Sequence, residues 1–209
     1  KGKPEIVWSE ILAKYNVQRV YANEDYEPYA IKRDRKIQEL LFEKNIPFLV
    51  DVWQRFRESH PEIKADLVMV GEGRYRKWAD KIRPHHAYFL GPVVGDHLSQ
   101  VYASSDLFVF PSITDTLGQV IMEAQASGLG CLVSDIGGPQ TLVLENETGR
   151  IIKANDHNAW VEALFSALTD NELRQQWSTN SRQHIEQYDI VDSFNHFIET
   201  HNKVLQHQA

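Results

Sequence analysis

Pro111-Ser112-Ile113-Thr114-Asp115-Thr116-Leu117-Gly118-Gln119-Val120-Ile121-Met122-Glu123-Ala124-Gln125-Ala126-Ser127-Gly128 is the stretch that decides how this chain is built. The apolar run Leu107-Phe108-Val109-Phe110 leads into it and predicts a strand that ends in a turn. The turn carries an acid, Asp115, and a helix is predicted to begin near Thr116 or Leu117. Glu123 lies eight positions after Asp115, just over two helical turns further on. Free N–H groups and the positive end of the dipole at a helix start suit a phosphate. An acid on each side of such a turn suits a phosphorylated sugar, one acid for hydroxyls and the other for a ribose. Taken alone, each acid also fits a plainer role as a solvated residue near a helix start.

Working outward, short apolar runs alternate with helical periodicity. Strands are predicted at 66–70, 87–90, 106–110, 131–134 and 150–153, with another at 17–22. Helices are predicted at 4–15, 29–43, 74–82, 96–103, 117–127, 139–144, 157–168, 171–187 and 190–206. Between Pro47 and Ser59 two readings compete. Phe48, Leu49, Val52, Trp53 and Phe56 follow helical spacing, whereas a short strand at 47–51 is the alternative. Pro47 is expected to interrupt the preceding helix. Alternation of this kind predicts an α/β fold: a single doubly wound, mainly parallel, Rossmann-like sheet with helices on both faces. Ligands of such sheets bind beyond the carboxyl ends of the strands, where Gly71, Gly91 and Asp115 all fall.

Composition narrows the function. With 29 acidic and 22 basic residues the net charge is −7, which argues against a general nucleic-acid surface. The single cysteine, Cys131, excludes an internal disulfide and reads as a buried small hydrophobe. No signal peptide or bilayer-length apolar run is apparent, so the expectation is a cytoplasmic protein. The nine histidines show no metal-ligand spacing, so neither a metal nor a cofactor is expected.

From the quoted stretch, the chain resembles the nucleotide-sugar half of retaining GT-B glycosyltransferases of the group 1 type. That family carries an acid, seven residues and a Glu after Pro-Ser, as Asp115 and Glu123 do here. Leu67-Val68-Met69-Val70-Gly71-Glu72-Gly73 resembles its second strand and glycine turn, and Phe89-Leu90-Gly91 its nucleobase loop. Val101-Tyr102-Ala103-Ser104-Ser105-Asp106 resembles the helix leading into the site strand. The resemblance runs from about residue 45 to 206. It implies that Asp115 contacts the donor sugar near the reacting carbon and that Glu123 binds the ribose. It also implies that the N–H groups of Thr116, Leu117 and Gly118 hold the diphosphate, with Gly71, Gly73, Leu90 and Gly91 around the nucleotide. Lys44 resembles the lysine that neutralises the diphosphate.

Four departures from the family pattern stand out, the first being Asp115 where Glu is commoner, which shortens the reach by one methylene. Gln140 occupies a position where an acid is common, Gly130 one where proline is common, and no Gly-Arg precedes Lys44. Five residues before Lys44 the chain has Glu39, an unfavourable charge beside a diphosphate.

Residues 1–46 resemble a different family. Val20-Tyr21-Ala22-Asn23-Glu24-Asp25-Tyr26-Glu27-Pro28-Tyr29, followed by Arg33-Asp34, is similar to part of the N-terminal α/β domain of DNA photolyases and cryptochromes. The organisation expected is therefore a photolyase-like helix-strand-helix segment, 1–46, integrated into the sheet of a donor-binding half, 47–209. The leading functional expectation is a chimeric or engineered scaffold with at most residual affinity for a nucleoside diphosphate sugar, since an acceptor half is not apparent. The alternatives are a retaining glycosyltransferase moving a hexose, and a chromophore- or flavin-binding module. An apolar stripe that includes Phe194, Phe197 and Ile198 on the last helix is expected to pack on the N-terminal segment or on a second copy of the chain.

Overall fold

The computed structural model describes residues 45–71, 83–188 and Ile198. The expected elements at 4–15, 17–22, 29–43 and 74–82 lie outside the described residues, as do Lys44, Gly73 and Glu39.

The competition around Pro47 resolves as helix. Helix α1 spans Asn45–Ser59 without a strand at 47–51. Pro47 falls in its first turn, where an N–H would have no intrahelical acceptor, so the ring costs this helix nothing, while the expected helix at 29–43 lies outside the described residues. Leu49, Val52, Trp53 and Phe56 form its buried face. The indole N–H of Trp53 donates to the His85 carbonyl at 2.7 Å, so its polar atom is satisfied inside the core.

Five parallel strands follow. Strand β1 (Leu67–Val70) pairs with β2 (Ala87–Gly91), with a register slip between Met69 and Val70. Strand β3 (Leu107–Phe110) pairs with β4 (Gly130–Ser134), which pairs with β5 (Gly149–Ile152). Among the described residues these ladders form two hydrogen-bonded groups, β1-β2 and β3-β4-β5.

Helices α2 (Asp96–Ala103), α3 (Gln119–Ala126), α4 (His157–Thr169) and α5 (Asn171–Ile185) complete the layers, with short 3-10 turns at Pro139–Leu142 and Glu186–Tyr188. The helix expected at 139–144 is only that single turn. Asp156 caps α4 by accepting from the Ala159 N–H, and Asp170 caps α5 by accepting from Leu173.

Strand alternation sorts the core into two faces. Leu132 of β4 joins Leu67, Met69, Ala87 and Ile152 against α1, α4 and Trp177. Cys131 and Val133, one residue to either side of Leu132, join Ile121, Ala124, Leu129 and Leu142 on the opposite face. Phe56, Ile121 and Leu132 are fully buried, each contributing ~1.5–3 kcal/mol on burial. The departure at 130 has a packing cause. A Cβ on Gly130 would sit 2.5 Å from the Trp177 ring, so the indole occupies the space of any side chain there.

Of the expected C-terminal stripe only Ile198 is described. It is helical but exposed, against the expectation that the stripe is buried. A single exposed isoleucine is ordinary on a protein surface. Among the described residues no helix is long and apolar enough to cross a membrane.

Candidate functional site

Strand β3 delivers the chain to a turn whose base is buried. Pro111, Ser112 and Ile113 are inaccessible, and the Ser112 hydroxyl accepts long hydrogen bonds from the N–H groups of Thr114 (3.4 Å) and Asp115 (3.3 Å). Asp115 then folds back, and its Oδ1 accepts from the Gly118 N–H at 3.1 Å. Gly118 takes the left-handed conformation, φ 76°, and only then does α3 start, at Gln119. The helix thus begins later than its sequence predicts. A left-handed residue cannot continue a right-handed helix backwards, and the Asp115 carboxylate closes the turn locally.

The consequence for the predicted anion site is specific. The Gly118 N–H is already spent on Asp115. Among the described residues the N–H groups of Thr116 and Leu117 donate to nothing, and both residues are exposed. Thr114 Oγ1, in the same turn, is buried without a partner among the described residues.

Gly137 and Gly138 enter as the other half of this turn. The Gly138 N–H donates to the Asp115 carbonyl at 2.8 Å. A Cβ on Gly138 would lie 1.9 Å from the Thr116 carbonyl oxygen, and one on Gly137, at φ 92°, would lie 2.9 Å from that of Asp115. The loops after β3 and β4 are therefore locked backbone to backbone. Gln140 belongs to the lock, its side-chain amide donating to the Gly137 carbonyl at 3.0 Å. A carboxylate at 140 has no proton to give, which accounts for the departure at that position.

Glu123 is exposed on α3. Its Oε2 accepts a hydrogen bond from the Tyr102 hydroxyl at 3.0 Å. Burial, then the Glu123 hydrogen bond and charge, push the Tyr102 phenol above its ordinary pKa, so it stays a proton donor. Burial likewise raises the Cys131 thiol, which is fully enclosed and unsuited to nucleophilic work.

Gly71 and Gly91 meet each other at the carboxyl ends of β1 and β2, where the Gly71 N–H donates to the Gly91 carbonyl at 2.9 Å. Leu90 beside them is exposed. The structure thus gathers the predicted residues into two sets, Asp115 to Gly118 with Glu123, and Gly71 with Leu90 and Gly91. Sequence reasoning missed Ser112, Tyr102 and the structural use of Gly137, Gly138 and Gln140. A polar groove of about 320 Å³, lined by Arg55, Lys153, Asn155 and His157, contains none of the predicted site residues. Asp51 holds its wall together, accepting from Arg55 at 3.0 Å and lying 2.8 Å from His157. Among the described residues no group of three or more His, Cys, Asp or Glu side chains is placed to hold a metal.

An acid-bearing turn past the carboxyl end of a parallel strand, locked to the next loop and leading into a helix, places the chain among the parallel α/β folds, whose carboxyl strand ends are the usual place for a ligand. The chain belongs to the group 1 glycosyl transferases, whose family model matches residues 36–184. A second family model, DNA photolyase, matches residues 1–58. The chain is 34% identical to the sulfoquinovosyl transferase of Arabidopsis thaliana over 70% of its own length and 28% of the relative's. It is 29% identical to an uncharacterized glycosyltransferase of Methanocaldococcus jannaschii over 85% of the chain and 44% of that protein. The chain therefore spans less than half of these curated relatives. Its fold matches the pneumococcal O-GlcNAc transferase solved with UDP and GlcNAc, at TM-score 0.63 and 21% identity over 77% of the chain and 33% of that structure. It also matches an Anabaena protein solved with UDP, at TM-score 0.63 and 16% identity over 97% of the chain and 53% of that structure.

Proposed function

We propose that this chain carries the donor side of a sugar-transfer reaction and binds a nucleoside diphosphate sugar at the turn 115–118. The observation that carries the reading is the pair of undonated N–H groups on Thr116 and Leu117, set above a turn that the Asp115 carboxylate closes. Leaving-group charge grows on the diphosphate as the bond to the sugar breaks, and fixed amide dipoles aimed at it lower that barrier. Asp115 takes the sugar hydroxyls and Glu123 the ribose. Lys44 is the cation that would share the diphosphate charge. Transfer is with retention to an acceptor bound elsewhere.

Titration calorimetry tests the reading with UDP, GDP, UDP-glucose and UDP-GlcNAc. Saturable binding is expected, weakened at least about tenfold by Glu123→Ala, the loss of a charged hydrogen-bonding group. Absence of binding to all four at ~10 mM, beyond any useful affinity, overturns it.

A second reading rests on the photolyase match over residues 1–58. This is the part of the chain where the diphosphate-binding Gly-Arg of the resemblance is missing. On that reading the chain is chimeric and the pocket is retained at reduced affinity without turnover. Millimolar binding with no transfer to any acceptor would favour it. Binding of FMN or folate in preference to nucleotides would favour a chromophore module instead.

A further inference from the structure

We propose that Tyr102 is a positioning residue that presents Glu123 to a vicinal diol, and so sets preference for a ribonucleotide over a 2′-deoxyribonucleotide. The inference rests on the donor-site reading above. Its starting point is the 3.0 Å hydrogen bond from the Tyr102 hydroxyl to Glu123 Oε2, made between helices 21 positions apart in sequence.

An exposed glutamate on a helix has three rotatable bonds and pays entropy to hold one pose. Tyr102 removes much of that freedom because its own ring is not free. The ring packs on the second core face, 5.9 Å from the Phe108 centroid, and Phe108 stacks on Phe110 at 6.0 Å. The helix end beneath it is tied as well, since the Ser105 hydroxyl donates to the Val101 carbonyl at 2.7 Å. Phe108 and Phe110 lie on β3, the strand that delivers Asp115. One aromatic stack therefore anchors both the orientation of Glu123 and the strand that ends at the acid turn.

The chemistry of the pair fits a diol. The phenol spends its single proton on Oε2, which leaves Oε1 free to accept one hydroxyl. The phenol oxygen keeps a lone pair for a second, neighbouring hydroxyl. Without the phenol, Glu123 retains its charge and loses its aim. That loss falls on ligands with two adjacent hydroxyls and spares those with one.

The test compares UDP and 2′-deoxy-UDP binding to the full chain, to Tyr102→Phe and to Glu123→Gln. Tyr102→Phe keeps the ring and its packing, so its melting temperature should stay close to that of the parent chain. Its UDP affinity should fall about tenfold, the scale of one hydrogen bond to a charged group, while 2′-deoxy-UDP affinity barely moves. The ratio between the two nucleotides should collapse in Tyr102→Phe and in Glu123→Gln alike. An unchanged nucleotide ratio in Tyr102→Phe overturns the positioning role and leaves the donor site standing. Failure of the parent chain to bind UDP overturns the donor-site reading, and the diol preference with it.

Discussion

The two strand groups of this protein are buried to very different degrees. In the β3-β4-β5 group, all five residues of β4 are inaccessible, with apolar side chains packed above and below. In the β1-β2 group one face is covered, by Leu67, Met69 and Ala87, while Val68 (44%), Val70 (38%) and Leu90 (53%) stay exposed. The acid turn grows from β3, which is half-buried along its length and paired to the fully buried β4. Functional geometry must be held to a fraction of an ångström, and only a sheet packed on both faces resists local deformation to that degree. The glycine pair Gly71 and Gly91 sits on the half-covered group, whose contribution is a place for backbone to approach closely.

The contrast can be broken most forcefully at its centre. Leu132→Ala should destabilise the protein by ~2–5 kcal/mol, since it deletes a fully enclosed side chain. Chemical denaturation measures it, and a cost under ~1 kcal/mol would mean that β4 is loosely held.

Gly138→Ala comes next, at about 1–3 kcal/mol from overpacking. Its Cβ meets the backbone carbonyl of Thr116, so the strain should also move the turn. Nucleotide affinity is expected to fall with stability, and calorimetry would show whether the two losses travel together.

A pH ramp sharpens the comparison further. Tyr102 and Cys131 both belong to the β3-β4-β5 side, and both have folded-state values raised above their ordinary 10.0 and 9.0. The folded state holds these protons more tightly than the unfolded one. Their contribution is therefore complete below pH ~9 and is lost progressively as pH rises above it. The melting temperature should drop in that window, less steeply in Tyr102→Phe, and β4 amides should lose exchange protection before those of β1.

The smallest effect belongs to the open face. Val68→Thr should change stability by less than ~0.5 kcal/mol, as for a surface position. A loss above ~1 kcal/mol would reveal a covering element on β1 in solution, and exchange protection at 17–22 would identify the strand expected there.

Much of this architecture was legible in the sequence because short apolar runs and amphipathic runs have different periods. Helix α2 has the bounds its pattern predicts, Asp96–Ala103, and each strand among the described residues falls within a residue of its expected limits. What misled was backbone detail. Gly118 reads as helical, yet its left-handed φ and the Asp115 carboxylate delay α3 by two to three residues. The acid pair itself was visible from its spacing. Its supports were not, because the Tyr102–Glu123 bond and the Gly138–Thr116 approach depend on how loops and helices pack rather than on neighbours in the chain.

The indole at 177 also constrains how this chain can change. It fills the volume that a side chain at 130 would need, so position 130 is closed to every residue larger than glycine while Trp177 remains. Shrinking Trp177 alone opens a void at the end of β4, and enlarging Gly130 alone forces the ring out of its slot. Each single step is costly, whereas the paired exchange is open. The two positions thus act as a ratchet, and sequence drift at the start of this strand can pass only through both at once.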